Sequence, residues 1–187
     1  MKYPNSINKT YTKINVSHSN RGMNLEDMLN KSNKYYLDND MAVIYKKPTP
    51  IGIVDVSYND HHKVIKKAYF KEQSTLDYNG LYKGKYIEFD AKETLSKTSF
   101  PLSNIHEHQT KQIRAVIKHQ GIAFLLIKMN EKYFILTGED YLSFIDNNDR
   151  KSIPYSYIEE KGYIVEEKYN PPLDYLKGLE NIYYKGE

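Results

Sequence analysis

The chain has 187 residues and no cysteine, and its 27 basic and 24 acidic residues leave a net charge of +3. That length suits one domain with a sizeable core, and an apolar fraction of 40% excludes wholesale disorder. Without cysteine, disulfides, thiolate metal sites and a cysteine nucleophile are excluded. The polar start and the short apolar runs lead us to expect a cytoplasmic protein.

The predicted elements begin after a polar arm. Residues 1–20 are rich in Asn, Ser, Lys and Thr and lack periodicity, which predicts a flexible N-terminal arm. Apolar residues at three-and-four spacing then predict a helix that is capped by Asn24 and runs to about Leu37. A short strand is expected at residues 41–45. Two β-prone arms joined by a polar tip predict a projecting hairpin at residues 51–70.

The second half of the chain alternates strands and helices. The elements expected there are a central strand at 86–91, a helix capped by Ser103 or Asn104 and ending near His119, a hairpin at 122–136, a short helix at 139–145 and a last helix at 173–183. No internal repeat or linker divides residues 21–187, so we expect one domain. The order of elements predicts an α/β fold with a mixed sheet flanked by helices.

Asp77, Asp90 and Lys92 are the residues that suggest a reaction. Alternate residues of a strand share a face, so Asp90 and Lys92 project together, and Asp77 precedes a turn signal in the same predicted hairpin. Carboxylates hold Mg²⁺, which polarises a phosphate and lowers the pKa of water, while a lysine can offset charge on that phosphate. Spacing alone leaves a surface ion pair as the alternative.

A cluster of lysines with aromatic neighbours falls within the predicted hairpin. Lys63, Lys66 and Lys67 stand beside Tyr69 and Phe70. Lysines contact phosphates, and aromatic rings stack on bases. The solvated face of an ordinary strand would explain the lysines alone, but the combination favours a phosphate-binding surface.

Several segments of the chain resemble RecU-type Holliday junction resolvases. The longest is residues 74–94, which read STLDYNGLYKGKYIEFDAKET and contain the two aspartates and the lysine. The shorter matching segments are 20–23 (NRGM), 33–37 (NKYYL), 46–50 (KKPTP), 68–71 (AYFK), 97–102 (KTSFPL) and 106–109 (HEHQ). They keep one order between residues 20 and 127, whereas the final third of the chain matches only loosely.

The resemblance implies a restriction-endonuclease-like PD-(D/E)xK nuclease fold in which residues 21–187 form the nuclease domain. It also implies a homodimer and Mg²⁺-dependent paired nicking of four-way DNA junctions, with Mn²⁺ as an alternative ion. In similar resolvases the hairpin is a stalk that rises from the dimer and enters the junction centre. The implied site residues are Thr75, Asp77, Asp90 and Gln109 as metal ligands, Lys92 as transition-state stabiliser, and Arg21, Lys63, Lys66, Lys67, Tyr69 and Phe70 as DNA contacts.

Some of these residues keep an ordinary alternative. Thr75 also fits a plain strand residue, and Gln109 a hydrogen-bonded glutamine in the core. Glu26 could approach the metal from the first helix, although a charge favoured at a helix start is the simpler explanation. His106 and His108 are expected to point to different sides of a helix, so no metal is assigned to them.

One position departs from the family pattern: similar resolvases carry Glu where this chain has Asp90. The shorter carboxylate would hold a metal nearer the backbone or less tightly. A non-catalytic protein that binds and bridges junctions and recruits a recombinase is therefore the alternative to a junction-resolving endonuclease. A restriction-like enzyme that cuts duplex DNA is a third interpretation, because the same carboxylates would serve it.

Overall fold

A computed structural model describes residues 23–59, 62–71 and 75–185 of the chain. The helices are α1 (Leu25–Asp38), α2 (Glu107–Lys118), α3 (Gly138–Asp146), α4 (Tyr155–Lys161) and α5 (Tyr175–Tyr183). The strands are β1 (Val43–Lys46), β2 (Ile51–Asn59), β3 (His62–Phe70), β4 (Tyr78–Tyr82), β5 (Lys85–Glu93), β6 (Ser99–Pro101), β7 (Ile122–Met129), β8 (Lys132–Thr137), β9 (Ser152–Pro154) and β10 (Tyr163–Val165). None of these helices is both long and apolar enough to cross a membrane. The predicted arm at residues 1–20 and Arg21 lie outside the described residues.

Six strands form one mixed sheet in the order β1-β4-β5-β7-β8-β10. Strands β5 and β7 pair in parallel, and the other neighbouring pairs of this sheet are antiparallel. The chain crosses from β5 to β7 through α2, as a parallel connection requires. The predicted α/β fold, with a mixed sheet and flanking helices, is confirmed.

The two faces of the sheet pack against different helices. One core unites Leu29 of α1 and Leu179 of α5 with Phe89 of β5, whose ring stacks on Phe124 with centroids 4.5 Å apart. The opposite core includes Ile113 of α2 and residues of α3 and α4. Because strand side chains alternate, positions 88, 90 and 92 of β5 face the α2 side, where the candidate site forms.

Local capping contacts are present at the starts of both α1 and α2, but only the first lies at the predicted residue. Asn24 caps α1 as predicted, since its Oδ1 accepts the Asp27 N–H at 2.8 Å. The predicted cap of α2 at Ser103 or Asn104 is wrong. Both residues belong to a 3-10 turn (Leu102–Asn104), and α2 begins one residue after His106.

The predicted hairpin at 122–136 and the helix at 139–145 correspond to β7–β8 and α3. The strand expected at 41–45 is displaced towards the C-terminus, to β1. The sequence does not predict three short elements in the tail, namely β9, α4 and β10. Val165 of β10 and Ile158 of α4 are both buried, so these short elements complete the sheet edge and one core.

Strands β2 and β3 form the predicted projecting hairpin, separate from the main sheet. All nine residues of β3 are exposed, so neither of its faces is covered by the rest of the described chain. Gly52 of β2 pairs with Tyr69 of β3, and a Cβ at Gly52 would lie 2.4 Å from the Tyr69 ring. The glycine therefore lets that ring lie across the strand. Residues 60 and 61, at the predicted polar tip, are not among the described residues.

Candidate active site

Asp90 and Lys92 lie on one face of β5, as their spacing predicts. The Lys92 Nζ is 3.1 Å from Asp90 Oδ2, and the Asp90 side chain is fully buried. The Lys92 side chain keeps 17% of its surface exposed, so it is the more accessible member of the pair. Strand alternation alone places this pair, because β5 is held between β4 and β7.

Asp77 reaches the same place from the residue that precedes β4. Tyr78 pairs with Phe89 in the antiparallel register, which puts the adjacent Asp77 opposite Asp90. Burial raises the pKa of Asp90 to about 7; the nearby Asp77 carboxyl adds to the rise, whereas the Lys92 ammonium lowers this pKa. The structure thus brings the three predicted catalytic residues together.

A buried oxygen indicates what this arrangement can bind. Asp90 Oδ1 has no hydrogen-bond partner in the described part of the chain, although buried polar atoms are normally paired. A second carboxylate stands beside it, and two anions held together away from water favour a cation between them. Asp77 and Asp90 therefore fit a divalent metal ion with oxygen ligands.

Two carboxylates do not complete the coordination of such an ion. The described residues contain no group of three or more His, Cys, Asp or Glu that could hold a metal. Further oxygen ligands would have to come from neutral groups, water or the DNA phosphate, as is usual for Mg²⁺. Thr75 is half-buried and stands two residues before Asp77. Its role as a ligand stays a prediction.

Gln109 is buried against the same carboxylate pair from the first turn of α2. Its Nε2 donates a short hydrogen bond to Asp90 Oδ2, and its Oε1 accepts the His106 N–H at 2.9 Å. In this orientation the amide nitrogen, which is not a metal ligand, faces Asp90. Ligation of a metal by Gln109 would require the amide to turn, so that prediction also stays open.

Glu88 is a residue of this face that the sequence analysis does not single out. It is fully buried, and Lys47 Nζ forms a short ion pair with its Oε1. The same oxygen accepts the Leu76 N–H at 3.2 Å. Its Oε2 accepts Tyr86 Oη at 3.1 Å and Gln112 Nε2 at 2.6 Å. The available signal is its spacing, two residues before Asp90 on a strand that is predicted to be central.

The remaining acid and histidine candidates have other partners. Glu26 forms an ion pair with Lys46, with Oε2 and Nζ 2.5 Å apart. The rings of His106 and His108 stack with centroids 5.5 Å apart. The expectation that they point to different sides is wrong, because His106 precedes the helix instead of lying within it.

The predicted DNA contacts of the hairpin are all exposed on β3. Phe70 is 80% exposed and Tyr69 is 57% exposed. Lys63, Lys66 and Lys67 form no ion pair with any described residue. Uncompensated lysines beside exposed rings are a suitable surface for nucleic acid.

Comparison with known proteins places these residues in a family context. The family model described as Recombination protein U matches residues 20–181. The Holliday junction resolvase RecU of Bacillus subtilis is 49% identical over 172 residues, which are 90% of this chain and 84% of that protein. The resolvase of the same name from Pediococcus pentosaceus is 52% identical, covering 88% and 85% of the two chains. That from Oceanobacillus iheyensis is 45% identical, covering 98% and 100%.

Among solved structures, the chain is similar to Hjc, a Holliday junction resolvase of Archaeoglobus fulgidus, with a TM-score of 0.41 and 8% identity. The similarity covers 68% of this chain and 86% of Hjc.

Proposed function

This chain belongs to the RecU family of recombination proteins, and on that premise we propose that it is an endonuclease that resolves Holliday junctions. The observation that carries the proposal is the unpaired, buried Oδ1 of Asp90, with Asp77 beside it and Lys92 within 3.1 Å of Oδ2. Two carboxylates to hold a metal ion, with an ammonium beside them, are what metal-dependent phosphodiester cleavage would use.

Mg²⁺ is the proposed ion, with Mn²⁺ as a substitute. Asp77 and Asp90 would hold it, and Thr75 and Gln109 are the proposed neutral ligands. When bound, the ion would polarise the scissile phosphate and lower the pKa of a water molecule. Lys92 would offset the negative charge that grows on the phosphate, because its ammonium is already fixed by Asp90.

Resolution requires one nick in each of two opposing strands, so we include a homodimer in the proposal. A two-fold axis would supply two equivalent sites to a symmetric junction. The β2–β3 hairpin, with its exposed lysines and aromatic rings, would enter the centre of the junction. A recombinase remains the predicted protein partner.

The proposal is tested by incubating the protein with a labelled synthetic four-way junction in Mg²⁺. We expect symmetric nicks from the wild type and none from Asp77→Asn, which keeps the size of the side chain but removes its charge. Asp38→Asn is the matched control, because Asp38 is exposed at the end of α1 and pairs with Lys34. Junction binding should persist in both variants. A wild type that binds junctions but cuts nothing in Mg²⁺ or Mn²⁺ would favour the non-catalytic bridging protein.

A further inference from the structure

We propose that Glu88 is a positioning residue that holds Asp77 beside Asp90, acting through Lys47 and the Leu76 amide. The inference rests on the proposed function, since it concerns the metal site of that nuclease. Glu88 would touch neither metal nor DNA. Its role would be to set the separation of the two carboxylates that do.

The carboxylate of Glu88 is saturated with hydrogen-bond donors. A carboxylate offers about four lone-pair sites, and Glu88 receives donors from Lys47, Leu76, Tyr86 and Gln112. Burial together with the Glu88 charge raises the pKa of Tyr86, so its hydroxyl remains a donor. Coordination of a metal by Glu88 would require it to release one of these donors. Glu88 therefore differs from Asp90, whose Oδ1 has no hydrogen-bond partner among the described residues.

The segment that carries Asp77 depends on these contacts. Residues 75–77 precede β4 and lie in no strand or helix, and the Leu76 N–H is not paired with a neighbouring strand. The Leu76 N–H instead donates to Glu88 Oε1. The Asp77 carbonyl accepts the Lys47 N–H at 2.7 Å, and the ammonium of that same lysine pairs with Glu88. The two hydrogen bonds that hold this segment therefore both involve the buried Glu88 carboxylate, one directly and the other through Lys47.

Glu88 is itself fixed from the opposite side. Gln112 of α2 and Tyr86 of β5 hold Oε2 and leave Oε1 turned towards Lys47 and Leu76. Gln109, one turn earlier on α2, donates to Asp90. Helix α2 thus orients both carboxylates on this face of β5. It orients Asp90 for the proposed metal, and Glu88 for the segment that carries Asp77. Outer contacts of this kind typically change metal affinity by about 10- to 100-fold when they are removed.

The test compares Glu88→Gln with the wild type in the intact chain. The amide keeps the shape of the side chain. Its NH₂ group, however, would face hydrogen-bond donors instead of accepting from them, and the Lys47 ammonium would lose its anionic partner. We expect Mn²⁺ binding without DNA, measured by titration calorimetry, to weaken by about 10- to 100-fold. The Mg²⁺ concentration for half-maximal nicking should rise by the same factor. Amide exchange at Leu76 should become faster, and junction affinity in EDTA should be unchanged.

Glu93→Gln is the matched control, because it removes the same charge from the same strand at a position that faces the Leu25 amide of α1. It should bind Mn²⁺ like the wild type. If Glu88→Gln does not fold, Tyr86→Phe replaces it. Tyr86 is 41% exposed and gives Glu88 a single hydrogen bond, so this variant should fold and shift Mn²⁺ affinity less but in the same direction.

Wild-type Mn²⁺ affinity in folded Glu88→Gln, or in Tyr86→Phe where Glu88→Gln does not fold, would overturn the positioning role. So would a wild type that binds no Mn²⁺, since no site would then remain to be positioned. Failure of the proposed function has a different signature: the wild type would bind Mn²⁺ with the expected dependence on Glu88 yet leave the junction uncut.

Discussion

Glu88 and Asp90 project from the same face of β5 and are both fully buried, yet their surroundings are opposite. Four donors surround the Glu88 carboxylate. Asp90 receives Gln109 and Lys92 on one oxygen, and its other oxygen has no hydrogen-bond partner in the part of the chain that the structure describes. The first arrangement stabilises a buried charge, whereas the second leaves a charge that a metal ion would neutralise. Two carboxylates that are two residues apart on one strand therefore have different proposed roles: Glu88 is structural, and Asp90 is a metal ligand.

The raised pKa of Asp90 predicts how stability depends on pH in the metal-free protein. Burial raises this pKa from 3.8 to about 7, so the folded state binds more protons than the unfolded state between those values. The free energy of unfolding should therefore fall as pH rises through that window, by at most about 4 kcal/mol, and then level off. In EDTA, Asp90→Asn should lose this fall and be more stable than the wild type at pH 8. Urea titrations at pH 5 and pH 8 would measure it, and an equal pH dependence in both proteins would contradict the assignment.

Lys92 should matter for the reaction more than for binding. Its ammonium lies 3.1 Å from Asp90 Oδ2, and removing a group that stabilises transition-state charge typically costs about 10²- to 10³-fold in kcat. Lys92→Met should show this loss in single-turnover nicking and keep the junction affinity of the wild type in EDTA. Lys128→Met is the matched control, since Lys128 lies on the adjacent strand, with its ammonium 5.9 Å from the Tyr133 ring centroid. Equal nicking rates for Lys92→Met and Lys128→Met would show that Lys92 does not take part in the reaction.

The parts of the site that the sequence predicts are those with a local signal. Alternation over residues 86–91 is enough to place Asp90 and Lys92 on one face. The turn predicted directly after Asp77 is wrong, because Tyr78 and the two residues after it lie within β4. The antiparallel pairing of β4 with β5 is what brings Asp77 to this face. The same alternation places Glu88 on that face but does not reveal its role, because its partners are Lys47, 41 residues earlier, and Gln112, 24 residues later. A carboxylate on a buried strand can serve as a metal ligand or as a member of an ion pair, and only its partners in the folded chain distinguish the two roles.

The same difference between local and long-range signals explains which parts of the fold the sequence predicts. The cap of α1 lies at Asn24, as predicted, whereas a 3-10 turn occupies the predicted cap of α2 and that helix begins at Glu107. The Leu102 N–H of that turn donates to Lys151, which lies far along the chain. Elements of three to seven residues in the tail have too few turns or alternations to produce a periodic pattern. Val165 joins β10 to the sheet by pairing with Tyr133 of β8. Such pairing is a property of the folded chain that composition does not reveal.

The lysines of the hairpin should set the salt dependence of junction binding. Lys63, Lys66 and Lys67 are exposed on β3, and a lysine that neutralises one phosphate contributes about one unit to the slope of log K against log salt. Each Lys→Ala variant should therefore reduce the slope by about one, as measured by fluorescence anisotropy between low and moderate salt. Lys161→Ala, which removes an exposed lysine at the end of α4, should leave the slope unchanged. An unaltered slope in the hairpin variants would place the DNA elsewhere.

The aromatic residues of the hairpin should provide preference for junctions over duplex. Phe70 is 80% exposed and Tyr69 is 57% exposed, so neither ring contributes much to folding. An open junction offers unstacked bases that a linear duplex does not, and stacking on an aromatic ring contributes about 1–3 kcal/mol per base. Phe70→Ala and Tyr69→Ala should therefore weaken junction binding by that amount, while duplex binding and melting temperature stay as in the wild type. Tyr169→Ala is the control, because Tyr169 is 77% exposed outside the hairpin. Equal losses on junction and duplex would show that the rings add general affinity, and the stalk would then have no part in recognising the branch point.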